Sequence, residues 1–125
     1  MTKLLRPFIN GKYIQAATAN VEPKHILINP INASPHTYQY HPTPSSQLQE
    51  ALGCARNAQR SWASAPPSHR ALILRNAAEI ISKNVELLSE METSDTGRAI
   101  RETKFDIEEG IACLHYYAGV GNSLG

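Results

Sequence analysis

The chain has 125 residues, with 12 lysines and arginines against 11 aspartates and glutamates, which gives a net charge of +1. No run of one sign occurs, so a basic nucleic-acid-binding face is disfavoured. The longest apolar run, Ala71–Leu74, is far shorter than the ~20 residues of a membrane-spanning helix. The first residues lack a signal-peptide core, so a cytoplasmic protein with free thiols at Cys54 and Cys113 is expected, on the scale of one domain.

Two β-hairpins are predicted within residues 7–40. Asn10-Gly11 separates two short apolar or aromatic runs, and this dipeptide suits a two-residue turn in which both positions need positive φ. Lys24–Asn29 has strand composition and ends at Pro30. Asn32–Pro35 is typical of a turn, and Thr37–Tyr40 predicts the returning strand.

Three amphipathic helices are predicted after the hairpins, at about 44–61, 68–92 and 102–118. In the central helix the apolar residues recur every three or four positions in two rows, which are Leu74, Ala78, Ile81, Val85, Leu88 and, beside them, Ile73, Ala77, Ile80, Leu87, Met91. Gly97 is expected to end this helix, and Gly119 and Gly121 the third. Hairpins followed by helices indicate an α+β fold class.

Most candidate chemical groups favour a structural interpretation. Cys54 and Cys113 each lie within a helical pattern without a local activating cluster, so small half-buried thiols are favoured over nucleophiles. The five histidines show neither the His-x-x-x-His spacing nor the Cys-x-x-Cys companion of a zinc site. The acidic residues Asp106, Glu108 and Glu109 are interpreted as a solvated face near a helix start rather than as an acid–base group.

Two features of the sequence leave alternatives open. The glycines from Gly119 to Gly125 are similar to a dinucleotide-binding fingerprint, but such glycines must follow a strand and open a helix, so a helix end is favoured. Asp95 stands in a predicted turn after the central helix. It is either an ordinary capping residue or a position whose oxygens help to bind a cation.

Four stretches resemble the aldehyde dehydrogenase family, in the family's order. They are Phe8-Ile9-Asn10-Gly11-Lys12-Tyr13, Ile28-Asn29-Pro30, the run from Trp62 through Arg70 to Glu92-Thr93-Ser94-Asp95-Thr96-Gly97, and Asp106-Ile107 with Tyr116-Tyr117-Ala118-Gly119. The last of these is similar to the betaine-aldehyde type. Two departures stand out: Pro30-Ile31-Asn32-Ala33-Ser34 replaces the family's Pro-Ala-Thr-Gly-Glu, and Arg98-Ala99 replaces its frequent Lys-Pro.

The resemblance implies that residues 1–125 are the N-terminal portion of the α/β cofactor-binding domain of a longer enzyme, α+β as a fragment. That enzyme would oxidise a small-molecule aldehyde, with betaine aldehyde as one candidate, to its carboxylic acid. A thiolate adds to the carbonyl, hydride passes to NAD or NADP, and water releases the acid. The family's nucleophile, general base and cofactor loop have no counterpart here, so the chain alone is expected to be inactive, without catalytic or cofactor-binding residues.

The resemblance also implies a homo-oligomeric enzyme that binds neither nucleic acid nor membrane. It further implies a monovalent cation, K+ or Na+, held by main-chain oxygens of Leu27 and Ile28 and by Asp95. Two rival hypotheses remain at this stage. One is a free-standing, non-catalytic helical interaction module, and the other is a small nucleotide-binding domain based on the terminal glycines.

Overall fold

The computed structural model describes residues 3–15 and 25–123. The chain divides into two compact units, residues 1–63 and 64–125. The predicted loop at 16–22 and the predicted strand start at Lys24 lie outside the described residues, as does Gly125. The described strands are β1 Lys3–Leu5, β2 Phe8–Ile9, β3 Lys12–Tyr13, β4 His25–Ile28 and β5 Pro35–Tyr40.

The strands of the first unit form a hairpin and a separate three-stranded sheet. In that sheet the order is β1–β5–β4, with β1 parallel to β5 and β4 antiparallel to it. Leu5 and His25 both lie opposite Tyr40, while Ile28 lies opposite Pro35. Pairing of β4 with β5 confirms the second predicted hairpin. The parallel strand β1 was not predicted, because three residues carry too short a pattern to indicate a strand.

The β2–β3 hairpin confirms the prediction from Asn10-Gly11. Asn10 has φ 52° and Gly11 has φ 77°, the paired positive values of a two-residue turn. Phe8 and Tyr13 lie opposite each other, with ring centroids 5.0 Å apart in an edge-to-face arrangement. Such aromatic pairs add to the stability of a short hairpin.

The turn between β4 and β5 places a non-glycine residue in the left-handed region. Ala33 has φ 55°, at the position where the resembling family has glycine. A left-handed alanine costs about 1–2 kcal/mol, and local hydrogen bonds offset that cost. The Asn29 carbonyl accepts the Ala33 N–H at 2.9 Å, and the Asn32 side-chain oxygen accepts the Ser34 N–H at 3.0 Å.

Four helices follow among the described residues: α1 Ser45–Ser64, α2 Pro67–Ser82, α3 Val85–Thr96 and α4 Ile100–Ser123. The α+β class and the helices at the predicted places are confirmed. Two details of the prediction are wrong. The single central helix over 68–92 is two helices, and the third predicted helix continues past Gly119 and Gly121, which therefore do not end it.

The break between α2 and α3 has a local cause at Asn84. The Asn84 N–H bonds to the carbonyl of Ile81, three residues back, and its side-chain amide donates to the Ile80 carbonyl at 2.7 Å. Asparagine competes for backbone groups in this way, and so it interrupts a helix that the apolar period alone would continue. Asn84 then serves as the first flanking residue of α3, with φ −122° and ψ 15°.

The core of the second unit lies where α2 and α3 pack on α4. Ala71, Ala78 and Ala118 are buried there, the last two with no exposed surface. Of the two predicted apolar rows, the row that contains Ala78 faces this core. In the other row Ile80 and Leu87 are 63% and 55% exposed. None of the helices formed by the described residues is long and apolar enough to cross a membrane.

Candidate functional site

The corner between α3 and α4 carries the densest polar network of the second unit. Gly97 ends α3 with φ 76°, and its N–H bonds to the Thr93 carbonyl at 2.9 Å, as predicted for a glycine at a helix end. The Thr96 hydroxyl donates to the Glu92 carbonyl at 2.8 Å and accepts the Arg98 N–H at 3.3 Å. The last turn of α3 is therefore held in one conformation.

The Arg98 side chain joins the end of α3 to the first turns of α4. Its guanidinium donates a hydrogen bond to Asp106 and lies 3.8 Å from a Glu92 carboxylate oxygen and 3.9 Å from one of Glu102. The hydrogen bond to Asp106 and the charge of that carboxylate raise the pKa of Arg98 above its ordinary value. The planar guanidinium suits this role, since it can serve several carboxylates in fixed directions.

Asp106 is therefore only partly the solvated residue that the sequence suggested. Its carboxylate pairs with Arg98 across the helix corner, whereas Glu108 and Glu109 are exposed, as expected. Arg98 was not singled out from the sequence. The Arg98–Glu102 spacing of one helical turn is a visible signal, but the contacts with Glu92 and Asp106 need the folding of α4 back onto α3.

A buried hydroxyl cluster lies beneath this corner. The Thr103 side chain on α4 is fully buried, and its oxygen lies 2.9 Å from the Thr93 hydroxyl of α3. The same oxygen lies 3.1 Å from the carbonyls of Ser89 and Ile100. Since buried polar groups are costly without partners, this cluster aligns α3 and α4 in one register.

The predicted cation ligands are in the following places. Leu27 and Ile28 are the last two residues of β4, in the first unit. Asp95 lies within the last turn of α3, in the second unit, so its predicted position in a turn after the helix is wrong. Its side chain is exposed.

The remaining candidate groups form no reactive centre. Cys54 is half-buried and Cys113 is exposed, and both are free thiols, so the expectation that Cys113 is at least half-buried is wrong. In the part of the chain that the structure describes, no group of three or more His, Cys, Asp or Glu side chains is placed to hold a metal ion. Gly119 and Gly121 lie inside α4, where they cannot form a loop around a pyrophosphate.

An apolar cavity of about 340 Å³ lies in the first unit between the β2–β3 hairpin and α1. Its walls are Phe8, Ile9, Asn10, Gly11, Ala51, Cys54, Ala55 and Ala58. Small side chains on α1 create the space, because three of the helix residues that line it are alanines. No charged side chain lines it, so the cavity offers no acid–base chemistry.

Comparison with known proteins places this architecture. Residues 17–125 match the aldehyde dehydrogenase family. Betaine aldehyde dehydrogenase 2 of Rhizobium meliloti (strain 1021) is 32% identical over 118 residues, which are 94% of this chain and 24% of that protein. An aldehyde dehydrogenase of Davidiella tassiana is 34% identical over 118 residues, covering 94% of this chain and 23% of its own length.

Solved structures agree with the sequence matches. A crystal structure of betaine aldehyde dehydrogenase from Staphylococcus aureus in complex with NAD+ superposes with a TM-score of 0.84 at 26% identity. The superposition covers 94% of this chain and 23% of that one. The chain thus spans about a quarter of the length of the relatives that it matches. With the family match over residues 17–125, these findings confirm the resemblance, and the chain belongs to the aldehyde dehydrogenase family.

Proposed function

We propose that this chain is the N-terminal part of an NAD(P)-dependent aldehyde dehydrogenase, which oxidises an aldehyde to its carboxylic acid. The alignment over 118 residues to betaine aldehyde dehydrogenase 2, together with the shared fold, carries the proposal. A second betaine aldehyde dehydrogenase, of Cereibacter sphaeroides, is 33% identical. Betaine aldehyde is therefore the first substrate to test.

In such an enzyme this chain has a supporting role. The cofactor, when bound, accepts a hydride from the substrate, but the described residues do not fit it, since Gly119 and Gly121 are helical. Neither Cys54 nor Cys113 lies beside a group that would activate a thiol. We therefore assign the chain to the outer strands and helices of the cofactor domain. Free thiols at both cysteines support a cytoplasmic, homo-oligomeric enzyme of this family.

The 125-residue chain by itself is expected to form no NADH or NADPH from betaine aldehyde or other aldehydes, because it lacks a nucleophile, a base and a cofactor loop. The measurement is absorbance at the reduced-nicotinamide band with each cofactor. Formation of reduced cofactor that Cys54→Ser or Cys113→Ser abolishes would contradict this assignment of roles.

The positive arm of the same test is a chimera. The aligned 118 residues of betaine aldehyde dehydrogenase 2 are replaced by those of this chain, and the product is assayed with betaine aldehyde and NAD+. Activity that depends on the relative's own catalytic cysteine supports the proposal. A folded chimera that binds NAD+ but does not turn over substrate would count against it.

We further propose that Leu27, Ile28 and Asp95 contribute oxygens to a monovalent cation, K+ or Na+, in that enzyme. Each place fits the chemistry by itself. β4 is an edge strand with an irregular register between Ile26 and Ile28, and Ile28 faces Pro35, which has no N–H to donate. Asp95 lies among the last four residues of α3, whose carbonyls have no intrahelical donor. Hard cations prefer such oxygens.

In the chimeric enzyme, potassium is expected to raise the melting temperature above that in tetramethylammonium at equal ionic strength, because a cation that binds only the folded state stabilises it. A cation at one hundred times its Kd adds about 2.7 kcal/mol. Asp95→Ala should reduce the potassium-dependent shift, and the 125-residue chain should show little of it. Equal melting temperatures in both salts, for the enzyme and for Asp95→Ala, would leave Asp95 as a helix-end residue only.

A further inference from the structure

One face of α4 is exposed along nearly its whole length. Phe105 and Tyr116 on this face are 60% and 66% exposed. They are eleven residues apart, which at about 100° per residue puts them within about 20° of each other around the helix. The exposed residues Ala112 and Gly119 share this face, which lies opposite the buried Ala118.

Large and small residues alternate along this face around Ala112. Phe105 lies seven residues before Ala112, and Gly119 lies seven residues after it. A side chain added at Gly119 would meet nothing within 4 Å, so the helix is open there. If a second copy of α4 lies antiparallel with the Ala112 residues facing, each Phe105 falls opposite the Gly119 of the other copy. A small residue at the centre permits the interaxial distance of about 8–10 Å that packed helices need.

The charges beside this face fit the same antiparallel arrangement. Glu108 and His115 are both exposed and flank the face on one side. Because they lie four residues before and three residues after Ala112, the antiparallel pair sets each Glu108 beside the other copy's His115. An imidazole donates a hydrogen bond to a carboxylate in either protonation state. A parallel pair would instead bring the two Glu108 carboxylates together, which is unfavourable.

We propose that this face of α4 is a docking surface for a second copy of the chain, with the two helices antiparallel and Ala112 at the two-fold axis. Size and charge are both self-complementary about that one residue, as a two-fold interface requires. The exposed aromatic side chains Phe105 and Tyr116 supply the apolar contact, and aromatic residues are enriched at such interfaces. The interaction belongs to the 125-residue chain and is independent of the proposed enzymatic activity.

The first test measures the mass of the chain by sedimentation equilibrium across a wide concentration range. The chain is expected to pass from monomer to dimer, and Phe105→Glu should raise the dimer Kd by at least about tenfold, as for a central aromatic contact. Ile80→Glu is the matched control, since Ile80 is 63% exposed on α2, and its Kd should not change. Circular dichroism of both variants confirms that the helices remain.

The second test locates the two-fold axis. In a Cys54→Ser, Cys113→Ser background, Ala112→Cys should form a disulfide-linked dimer on mild oxidation, because its Cβ atoms meet within the ~3.5–4.5 Å that a disulfide needs. Ile80→Cys in the same background should remain largely monomeric. A monomer at every concentration, equal effects of Phe105→Glu and Ile80→Glu, or preferential cross-linking through Ile80→Cys would each overturn the proposal.

Discussion

Replacing Ala118 by leucine is expected to destabilise the second unit by about 3 kcal/mol, at the upper end of what overpacking of a core costs. Ala118 has no exposed surface, and it lies on α4, against which α2 and α3 pack. Three added heavy atoms cannot be placed there without separating the helices. Separation would also expose Ala78, which is fully buried too.

Urea unfolding of Ala118→Leu, followed by far-ultraviolet circular dichroism, measures this loss. The matched control is Ala112→Leu on the same helix, at an exposed position. At low protein concentration, where copies are dissociated, the control should unfold within about 0.5 kcal/mol of the parent chain, as surface substitutions do. An unchanged midpoint for Ala118→Leu would show that α2 and α4 do not pack as described.

Replacing Thr103 by valine is expected to cost about 2 kcal/mol, although valine has nearly the same shape as threonine. The loss comes from the hydroxyl, which lies 2.9 Å from the Thr93 hydroxyl and 3.1 Å from the Ser89 carbonyl. Valine leaves the Thr93 hydroxyl beside an apolar group, and an unpartnered polar group out of water costs roughly 1–3 kcal/mol.

The comparison with Thr103→Ser separates the hydroxyl from the methyl group. Serine keeps the oxygen and loses one buried methyl, so its cost should stay near the ~0.8 kcal/mol of a single buried carbon. The double variant Thr93→Val, Thr103→Val should lose less than the sum of the two single changes, because neither hydroxyl is then left alone. A stability of Thr103→Val equal to that of the parent chain would show that the hydroxyl cluster does not align α3 and α4.

Local residue chemistry was enough to predict several elements of this protein. The Asn10-Gly11 turn and the end of α3 at Gly97 depend on positive φ, which few residues adopt without cost. The helical periods predicted α1, the core-facing row of α2 and α3, and the existence of α4. Family membership also followed from the sequence, since short motifs in the right order survive at 32% identity.

Other features depended on contacts between residues that are far apart in the chain. The parallel pairing of Leu5 with Tyr40 leaves no signal in three residues, because a strand that short is defined by its partner. The break at Asn84 is a local competition for backbone groups, yet the apolar period runs through it unchanged.

Tertiary structure also decided where α4 ends and what surrounds Arg98. Glycines tolerate a helix when packing repays their cost of about 1 kcal/mol each, and Ala118, buried in the turn before Gly121, supplies such packing. Arg98 meets Glu92 and Asp106 only because α4 folds back along α3. Sequence alone determined which segments are helices and strands, and packing determined where they bend, how far they run and which charges meet.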